Sequence, residues 1–240
     1  MNIANWLLTT LMMGLHRVLR RLGVPVNLPQ PEHLLIPICP LGPEHLPELR
    51  AHLLALSEQD RYLRFGYSAT DEQITRYVDG LNFDRDEIYG IFDRNLQLMA
   101  MAHLALCQEK GQDSMCEFGV SVNASARGQG LGARLFDRAV MHARNQKISM
   151  IYIHALSENA PMIRIARKGG AVVEREGSET EAYLRLPKRT MDSRFHEVVA
   201  DRFAIANYHI KEDAKRFWDF LDQIEEIRQG VRKARQQSSQ

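Results

Sequence analysis

The chain has 240 residues, of which 45% are hydrophobic and 25% charged, as expected for a globular protein with enough apolar side chains for one large core. A formal net charge of +1 gives no overall attraction to nucleic acid, and no basic patch with interleaved aromatic residues replaces it. Three scattered cysteines without a CxxC pair exclude a disulfide framework and favour a reducing, cytoplasmic location.

Residues 1–32 predict an amphipathic helix and a proline-punctuated linker. Apolar side chains recur at helical spacing between Ile3 and Leu19, with Arg17, Arg20 and Arg21 at the end of the run. The run lacks the features of a signal peptide and is shorter than the ~20 residues that span a bilayer. We expect this helix to pack on the body of the protein or on a partner subunit, with peripheral membrane contact as the less favoured alternative.

Residues 33–187 predict a mixed α/β domain. The predicted strands cover 34–39, 87–93, 96–106, 115–122, 148–156, 171–176 and 181–186, and the predicted helices cover 42–57, 70–81, 132–146 and 159–169. Asp93, Arg94 and Asn95 have the residue types of a hairpin turn, as do Gly177 and Ser178.

A glycine-rich loop separates the strand at 115–122 from the helix that follows it. Gly128, Gly130 and Gly132 lie within five positions and come after Arg127. A glycine loop at the start of a helix presents free backbone N–H groups and the positive end of the helix at one point, which favours a bound phosphate. The loop lacks the G-K-[ST] of a Walker A motif, and its glycine spacing is not that of the G-x-G-x-x-G dinucleotide fingerprint.

The segment RGQGLG at 127–132 matches the R/Q-x-x-G-x-G/A pattern of the acetyl-CoA-binding loop in GNAT-type N-acetyltransferases. Further segments that resemble the family are DRYLRF, NFDRDE, CEFGVSV and SENAPMIRIARKGGA. Within the family they are most similar to the acetyltransferase domain of bacterial Pat-type protein lysine acetyltransferases. The resemblance spans about residues 33–187. It implies a GNAT fold, which is a mixed central sheet with two splayed strands and flanking helices, here with helical extensions at both ends.

The resemblance also implies acetyl-CoA as the acyl donor and a set of residues that bind it. These residues are Val120, Ser121, Val122, Arg127, Gly128, Gln129, Gly130, Leu131, Gly132, Ala133 and Asn159. The loop at 128–133 would hold the diphosphate through its N–H groups, and the strand at 120–122 would pair with the pantetheine, which Asn159 would reach from the opposite helix. Arg127 would contact a phosphate or brace the loop. The strands at 115–122 and 149–155 would splay apart, and a backbone N–H of the first would polarise the acetyl carbonyl.

Glu117 is the predicted general base, because it resembles the strand glutamate that has this role in Pat-type enzymes. An amine with an ordinary pKa of about 10 is protonated at neutral pH and must lose a proton before it attacks. We expect Glu117 to be buried beside Cys116 and Phe118, and a solvated glutamate that pairs with a neighbour is the alternative.

The general acid is less well defined. Many relatives use a tyrosine on the later helix, at a position where this chain has Ala166. Ser157 is therefore the candidate acid, with His154, water or no acid as alternatives, since a thiol with a pKa of about 8.5 already leaves readily.

No metal site is predicted, because the histidines and cysteines nowhere have the spacing of metal ligands. His103 lies in an apolar run and is interpreted as a core histidine with satisfied hydrogen bonds.

The segment RYLRF leaves two roles open. It would position the substrate through Arg61, Tyr62 and Arg64, or it would form a packed turn whose arginines bind carboxylates such as Asp84 or Asp86.

Residues 188–240 predict two amphipathic helices, over 194–210 and 214–237. They would cover the core, the amino-terminal helix or a second subunit, and we expect a homodimer formed through the terminal helices. The sequence as a whole predicts an enzyme that transfers an acetyl group from acetyl-CoA to an amine by direct attack, with a protein lysine as the favoured acceptor. A small-molecule amine is the enzymatic alternative, and a coenzyme A-binding sensor or docking module without catalysis is the non-enzymatic one.

Overall fold

The computed structural model describes residues 37–93, 95–107, 115–187, 197–213 and 215–216, without the side chain of Glu176. The predicted amino-terminal helix, most of the last predicted helix and Arg94 of the predicted hairpin lie outside these residues. No helix within them is long and apolar enough to cross a membrane.

One mixed sheet forms the centre of the protein. Its strands are β1 (Cys39–Pro40), β2 (Glu87–Phe92), β3 (Leu98–Cys107), β4 (Met115–Val122), β5 (Met150–Leu156), β6 (Val172–Glu176) and β7 (Glu179–Arg185). Their order across the sheet is β1-β2-β3-β4-β5-β7-β6, and every neighbouring pair is antiparallel except β4 and β5, which are parallel. The predicted mixed α/β sheet is therefore confirmed.

Both predicted hairpin turns are present. The Asp93 carboxylate accepts the backbone N–H groups of Asn95 and Gln97 at 2.8 Å each, which turns the chain between β2 and β3. Gly177 has a φ of 60° between β6 and β7, in the left-handed region that a glycine enters without strain.

Six α-helices of the described chain cover the sheet. They are α1 (Leu46–Leu54), α2 (Glu58–Phe65), α3 (Asp71–Asp79), α4 (Leu131–Asn145), α5 (Ala160–Lys168) and α6 (197–213). Helix α3 begins with a capping box, in which Thr70 Oγ1 accepts the Gln73 N–H at 3.3 Å and Gln73 Oε1 accepts the Thr70 N–H at 2.9 Å.

Helix α2 replaces the end of the helix predicted over 42–57 and the packed turn that was one of the two interpretations of RYLRF. The first helix ends at Leu54, and the RYLRF segment belongs to a second helix. Ser57 Oγ accepts the Asp60 N–H at 3.2 Å and so caps the start of α2, while Gly66 ends it with a φ of 81°. Two features of the sequence mark the ends of α2: Ser57 lies three residues before Asp60, and Gly66 follows the last apolar residue.

The sheet has a hydrophobic core on each face. Helices α4 and α5 cover one face with a core whose larger members are Tyr89, Phe118, Leu135, Phe136, Ile151 and Ile153. Helices α1 and α3 cover the other with a core whose larger members are Leu49, Leu53, Ile74, Val78, Ile88 and Met101. Because side chains alternate along a strand, β4 directs Cys116 and Phe118 to the first core and Glu117 and Gly119 to the opposite face.

Helix α6 packs on the core of its own chain, one of the three predicted surfaces. It lies against strand β1 and the end of β2, where Ala204 is buried and its carbonyl accepts the Cys39 thiol at 3.5 Å. Lys211 Nζ donates to the Phe92 carbonyl at 3.1 Å, and the rings of Tyr208 and Phe92 lie 4.9 Å apart. The helix thus covers an edge of the sheet that would otherwise be open to another strand.

A buried ionic cluster joins α6 to α4. The Arg138 guanidinium, 5% exposed, donates to Glu197 at 2.8 Å and to Asp201 at 2.6 Å. The Glu197 carboxylate also contacts His142 at 2.7 Å and the Asn145 amide. Burial alone would raise the pKa of Glu197, but the hydrogen bonds from His142, Asn145 and Arg138 lower it to about 2.

We predict that Glu197→Gln lowers the free energy of unfolding at neutral pH by roughly 2–4 kcal/mol, because Arg138 and His142 lose their shared carboxylate. Since the folded-state pKa of Glu197 is about 2 and its ordinary value is 4.5, this stabilisation is complete above about pH 5 and is lost as the pH falls through 2. Chemical unfolding at neutral pH and near pH 3 measures both effects, and the wild type should lose more stability on acidification than the variant.

Glu212→Gln is the matched control on the same helix. Glu212 forms an exposed i,i+4 pair with Arg216 at 2.6 Å, so its loss should change the free energy of unfolding by less than about 0.5 kcal/mol. Equal effects of the two substitutions would contradict the importance of the buried cluster.

Candidate functional site

Strands β4 and β5 separate after a short pairing, and the gap between them is called the cleft. The two strands pair only at Met115↔Met150, Cys116↔Ile151 and Glu117↔Tyr152. Beyond Glu117, β4 continues to Val122 along β3, and β5 continues to Leu156 along β7. The predicted splay is confirmed. Among the described residues, one edge of 118–122 has no strand partner, so its backbone groups are available to a ligand.

The glycine loop lies at the end of β4, and its glycines are needed for two reasons. Gly128 and Gly130 have φ values of 77° and 75°, and a Cβ at either would meet nothing within 4 Å. They supply left-handed backbone that other residues adopt only with strain. A Cβ at Gly132 would lie 2.9 Å from Ile165 Cδ1, so this glycine lets α4 pack closely on α5.

The start of helix α4 presents unused donors. Its first helical hydrogen bond runs from the Arg134 N–H to the Gly130 carbonyl at 3.1 Å, and the N–H groups of Leu131, Gly132 and Ala133 precede it. Residues 128–130, directly before these donors, are exposed. The predicted residues from Val120 to Ala133 therefore follow one another along the free edge of β4 and the adjoining helix start, an arrangement that fits an extended ligand ending in a phosphate group.

Arg127 braces the loop in this structure. Its guanidinium forms an ion pair with Asp60 of helix α2, and its Nε donates to the Val122 carbonyl at 3.4 Å. Partial burial would raise the pKa of Asp60, but hydrogen bonds from Ser57 and Arg127 hold it below its usual value. Of the two predicted roles for Arg127, these contacts support bracing.

Asn159 joins the start of α5 to α2. Its Oδ1 accepts the Met162 N–H at 3.2 Å as a helix cap, and its Nδ2 donates to the Leu63 carbonyl at 3.1 Å. The neighbouring Glu158 charge raises the pKa of Tyr62 on α2. Helix α2 thus lies beside both the glycine loop and the start of α5. This position could not be predicted without the helix, which the sequence pattern did not predict.

The expected burial of Glu117 is wrong. Glu117 is exposed, because strand alternation sends its neighbours Cys116 and Phe118 into the core and its own side chain to the opposite face. It lies at the last pair before β4 and β5 separate. The Glu117 charge acts on Tyr77, His103 and Tyr152, which lie on the same side of the sheet.

Hydrogen bonds connect the side chains above β3 and β4 into a chain. Arg64 Nη2 donates to Tyr77 Oη at 3.0 Å, Tyr77 Oη contacts His103 Nδ1 at 2.8 Å, and His103 Nε2 contacts Asp86 at 3.2 Å. Arg85 binds both oxygens of the buried Asp86 at 2.7 and 2.8 Å. Burial lowers the pKa of His103, and both ring nitrogens have partners, as predicted for a core histidine.

Arg61 has a structural role. It donates to the carbonyls of Leu54, Leu56 and Ala69 at 2.6–3.1 Å and to Asp71 at 2.7 Å. Arg61 thus binds a nearby carboxylate, as one of the two interpretations predicts, but its partner is Asp71 and not Asp84 or Asp86.

The candidate acid Ser157 ties the end of β5 to the β6–β7 turn. Its hydroxyl lies 2.9–3.2 Å from the Gly177 and Glu179 carbonyls and from Thr180 Oγ1. The alternative His154 is exposed and lies 3.8 Å from the Glu179 carboxylate. Ala166 lies on the inner side of α5 and is fully buried in the core.

No group of three or more histidine, cysteine, aspartate or glutamate side chains in the described ranges could hold a metal ion.

Comparison with known proteins assigns the chain to a family. The family described as acetyltransferase (GNAT) domain matches residues 37–172, more than half of the 240 residues. The GNAT domain of S. lividans PAT is 17% identical with a TM-score of 0.54, over 62% of this chain and 89% of that one. Ribosomal-protein-alanine N-acetyltransferase from Brucella melitensis is 19% identical with a TM-score of 0.51, over 62% and 99% of the two chains.

Spermidine N-acetyltransferase from Vibrio cholerae, in complex with CoA and spermine, is 15% identical with a TM-score of 0.50, over 62% of this chain and 95% of that one. At these low identities, the similarity to the solved structures shows that the fold is shared and nothing more. The family match, the fold and the parted strands agree: the chain belongs to the GNAT family of acetyltransferases, enzymes that use acetyl-CoA as the acyl donor.

Proposed function

We propose that the protein transfers the acetyl group of acetyl-CoA to a primary amine in the cleft between β4 and β5. The observation that carries the proposal is the separation of the two strands after Glu117, since it places a carboxylate, a free strand edge and the start of α4 along one cleft. The family match supports the choice of acetyl-CoA as donor.

On the donor side, the backbone N–H groups of residues 128–133 bind the diphosphate through the positive end of α4. The free edge of Val120–Val122 pairs with the pantetheine amides. Acetyl-CoA, when bound, supplies an activated acyl carbonyl. Arg127 holds the loop in place through Asp60, and Asn159 holds the start of α5 against α2.

On the acceptor side, Glu117 takes the proton that the protonated amine must lose before its nitrogen attacks. The amine nitrogen then bonds to the acetyl carbon and gives a second proton to water. The bond from that carbon to sulfur breaks, and coenzyme A leaves as a thiolate that takes a proton from water. Since Glu117 is exposed, it passes the proton to water between turnovers. The leaving thiolate needs no acid from Ser157, whose hydroxyl is already held by the β6–β7 turn, because a thiol has a pKa of only about 8.5.

The acceptor is a protein lysine, as the resemblance to Pat-type enzymes indicates, or a small-molecule amine. Both fall within the proposed chemistry. Acetyl-CoA as donor supports a cytoplasmic site of action, and the homodimer through the terminal helices stays a prediction.

We predict that Gln129→Glu weakens coenzyme A binding by about tenfold, because a carboxylate at the start of α4 repels the diphosphate. The same charge interacts favourably with the helix dipole, so the variant should be at least as stable as the wild type. Titration calorimetry with coenzyme A measures the affinity, and added salt should reduce the difference.

Gln146→Glu is the matched control, since it makes the same change at the exposed opposite end of the same helix. It should leave coenzyme A affinity unchanged. Equal affinities of the two variants would place the diphosphate elsewhere.

We predict that Glu117→Gln lowers kcat by roughly 10²–10⁴-fold, as expected when a general base is removed, with unchanged coenzyme A affinity. Release of thiol from acetyl-CoA with a panel of amines and lysine peptides measures turnover. Glu174→Gln, at an exposed strand glutamate on β6, is the control and should retain full activity.

Turnover that survives in Glu117→Gln would reject Glu117 as the base. Coenzyme A binding by the wild type without turnover of any amine would instead support the sensor or docking module.

A further inference from the structure

The Arg64 guanidinium occupies an unusual place beside the cleft. A Cβ at Gly119 would lie 2.7 Å from Arg64 Cζ and Nη2 and 2.8 Å from Nη1, so the guanidinium fills the space where any other residue would carry its side chain. A glycine inside a strand often marks such a close approach. Gly119 lies just beyond the last pair of β4 with β5, on the same face as Glu117 and about 6.6 Å along the strand from it.

The direct contacts that hold Arg64 in the described residues are all with neutral groups. Nη2 donates to the Tyr77 hydroxyl at 3.0 Å, and the guanidinium carbon lies 5.1 Å from the Phe65 ring and 5.7 Å from the Tyr77 ring. These partners are neutral, and aromatic rings attract a cation without cancelling its charge. Tyr77 is fixed in turn by His103 at 2.8 Å.

Other arginines around α2 have acidic partners. Arg61 pairs with Asp71, and Arg127 pairs with Asp60. Within the described part of the chain Arg64 has no carboxylate partner, and its Nε is buried without an acceptor. Partial burial of a cation without an anionic partner costs free energy. An anion that enters with a ligand would therefore stabilise Arg64.

We infer that Arg64 binds an anionic group of the acceptor, so that the preferred acceptor is an amine with a carboxylate or similar oxyanion close to the reacting nitrogen. This inference rests on the proposed function and selects amino-acid-like small molecules over a protein lysine. The planar guanidinium matches a carboxylate in geometry and charge. With the carboxylate at Arg64, the neighbouring amine lies on the Glu117 side of the cleft, where its proton is removed. The same cation disfavours acceptors whose only charges are positive.

The test uses amino acids paired with the amines that lack their carboxylate: alanine with ethylamine, phenylalanine with phenethylamine, and lysine with cadaverine. A lysine peptide is added as the protein-type acceptor. The selectivity is the ratio of kcat/KM for the amino acid to kcat/KM for its partner amine, measured by thiol release. We expect a ratio of at least about tenfold in the wild type and a ratio near one in Arg64→Gln. Arg64→Lys, which keeps the charge but loses the planar fork, should give an intermediate ratio.

Arg76→Gln is the matched control, since it removes the same charge from an exposed position on α3, and it should keep the wild-type ratio. A wild-type ratio near one, a ratio unchanged in Arg64→Gln, or a preference for the lysine peptide would overturn the inference. Thermal unfolding checks that each variant is folded.

A second measurement separates this inference from the proposed function. Calorimetry compares phenyllactate, in which a hydroxyl replaces the amine, with phenethyl alcohol on protein saturated with coenzyme A. Binding of phenyllactate that weakens by about tenfold in Arg64→Gln supports the inference without requiring turnover. Equal binding of the two probes overturns it, whereas selective binding without turnover of any amine overturns the proposed function alone.

Discussion

The short parallel pairing between β4 and β5 is the constraint on which the site depends. After three residue pairs the strands part, and each remains bonded only to its antiparallel neighbour. Backbone groups on the inner edge of β4 are then left for a ligand, and the chain runs from that edge directly into the glycine loop and helix α4. Because strand side chains alternate, the same strand supplies the core with Phe118 and the cleft with Glu117. The core and the proposed general base thus share one strand.

Helix α2 organises what surrounds the cleft. Through Asp60 it holds Arg127 of the glycine loop, through the Leu63 carbonyl it holds Asn159, and through Arg64 it places a cation on β4. Its own position is fixed by Arg61, which ties the connections on either side of the helix. A single short helix therefore contacts the glycine loop, the start of α5 and strand β4.

The sheet, the glycine loop and the strand that carries Glu117 could be predicted from sequence because each depends on local rules: alternation, turn residues, and glycine where φ is positive. Helix α2 was missed because its apolar residues are few, although Ser57 and Gly66 mark its ends. The exposure of Glu117 followed from alternation and could have been foreseen. The contacts of Ser157 with Thr180 and of Arg64 with Gly119 join segments distant in sequence, so no local pattern contains them.

Helix α6 belongs to the folded domain, although it lies beyond the residues that match the family. The family match stops at residue 172 and the sheet at Arg185. The carboxylates that pair with Arg138 in the described residues are Glu197 and Asp201, which lie beyond both. A fragment cut after the last strand would remove both carboxylates that pair with Arg138 and would uncover strand β1. We therefore expect recombinant fragments of this chain to be more stable when they retain helix α6.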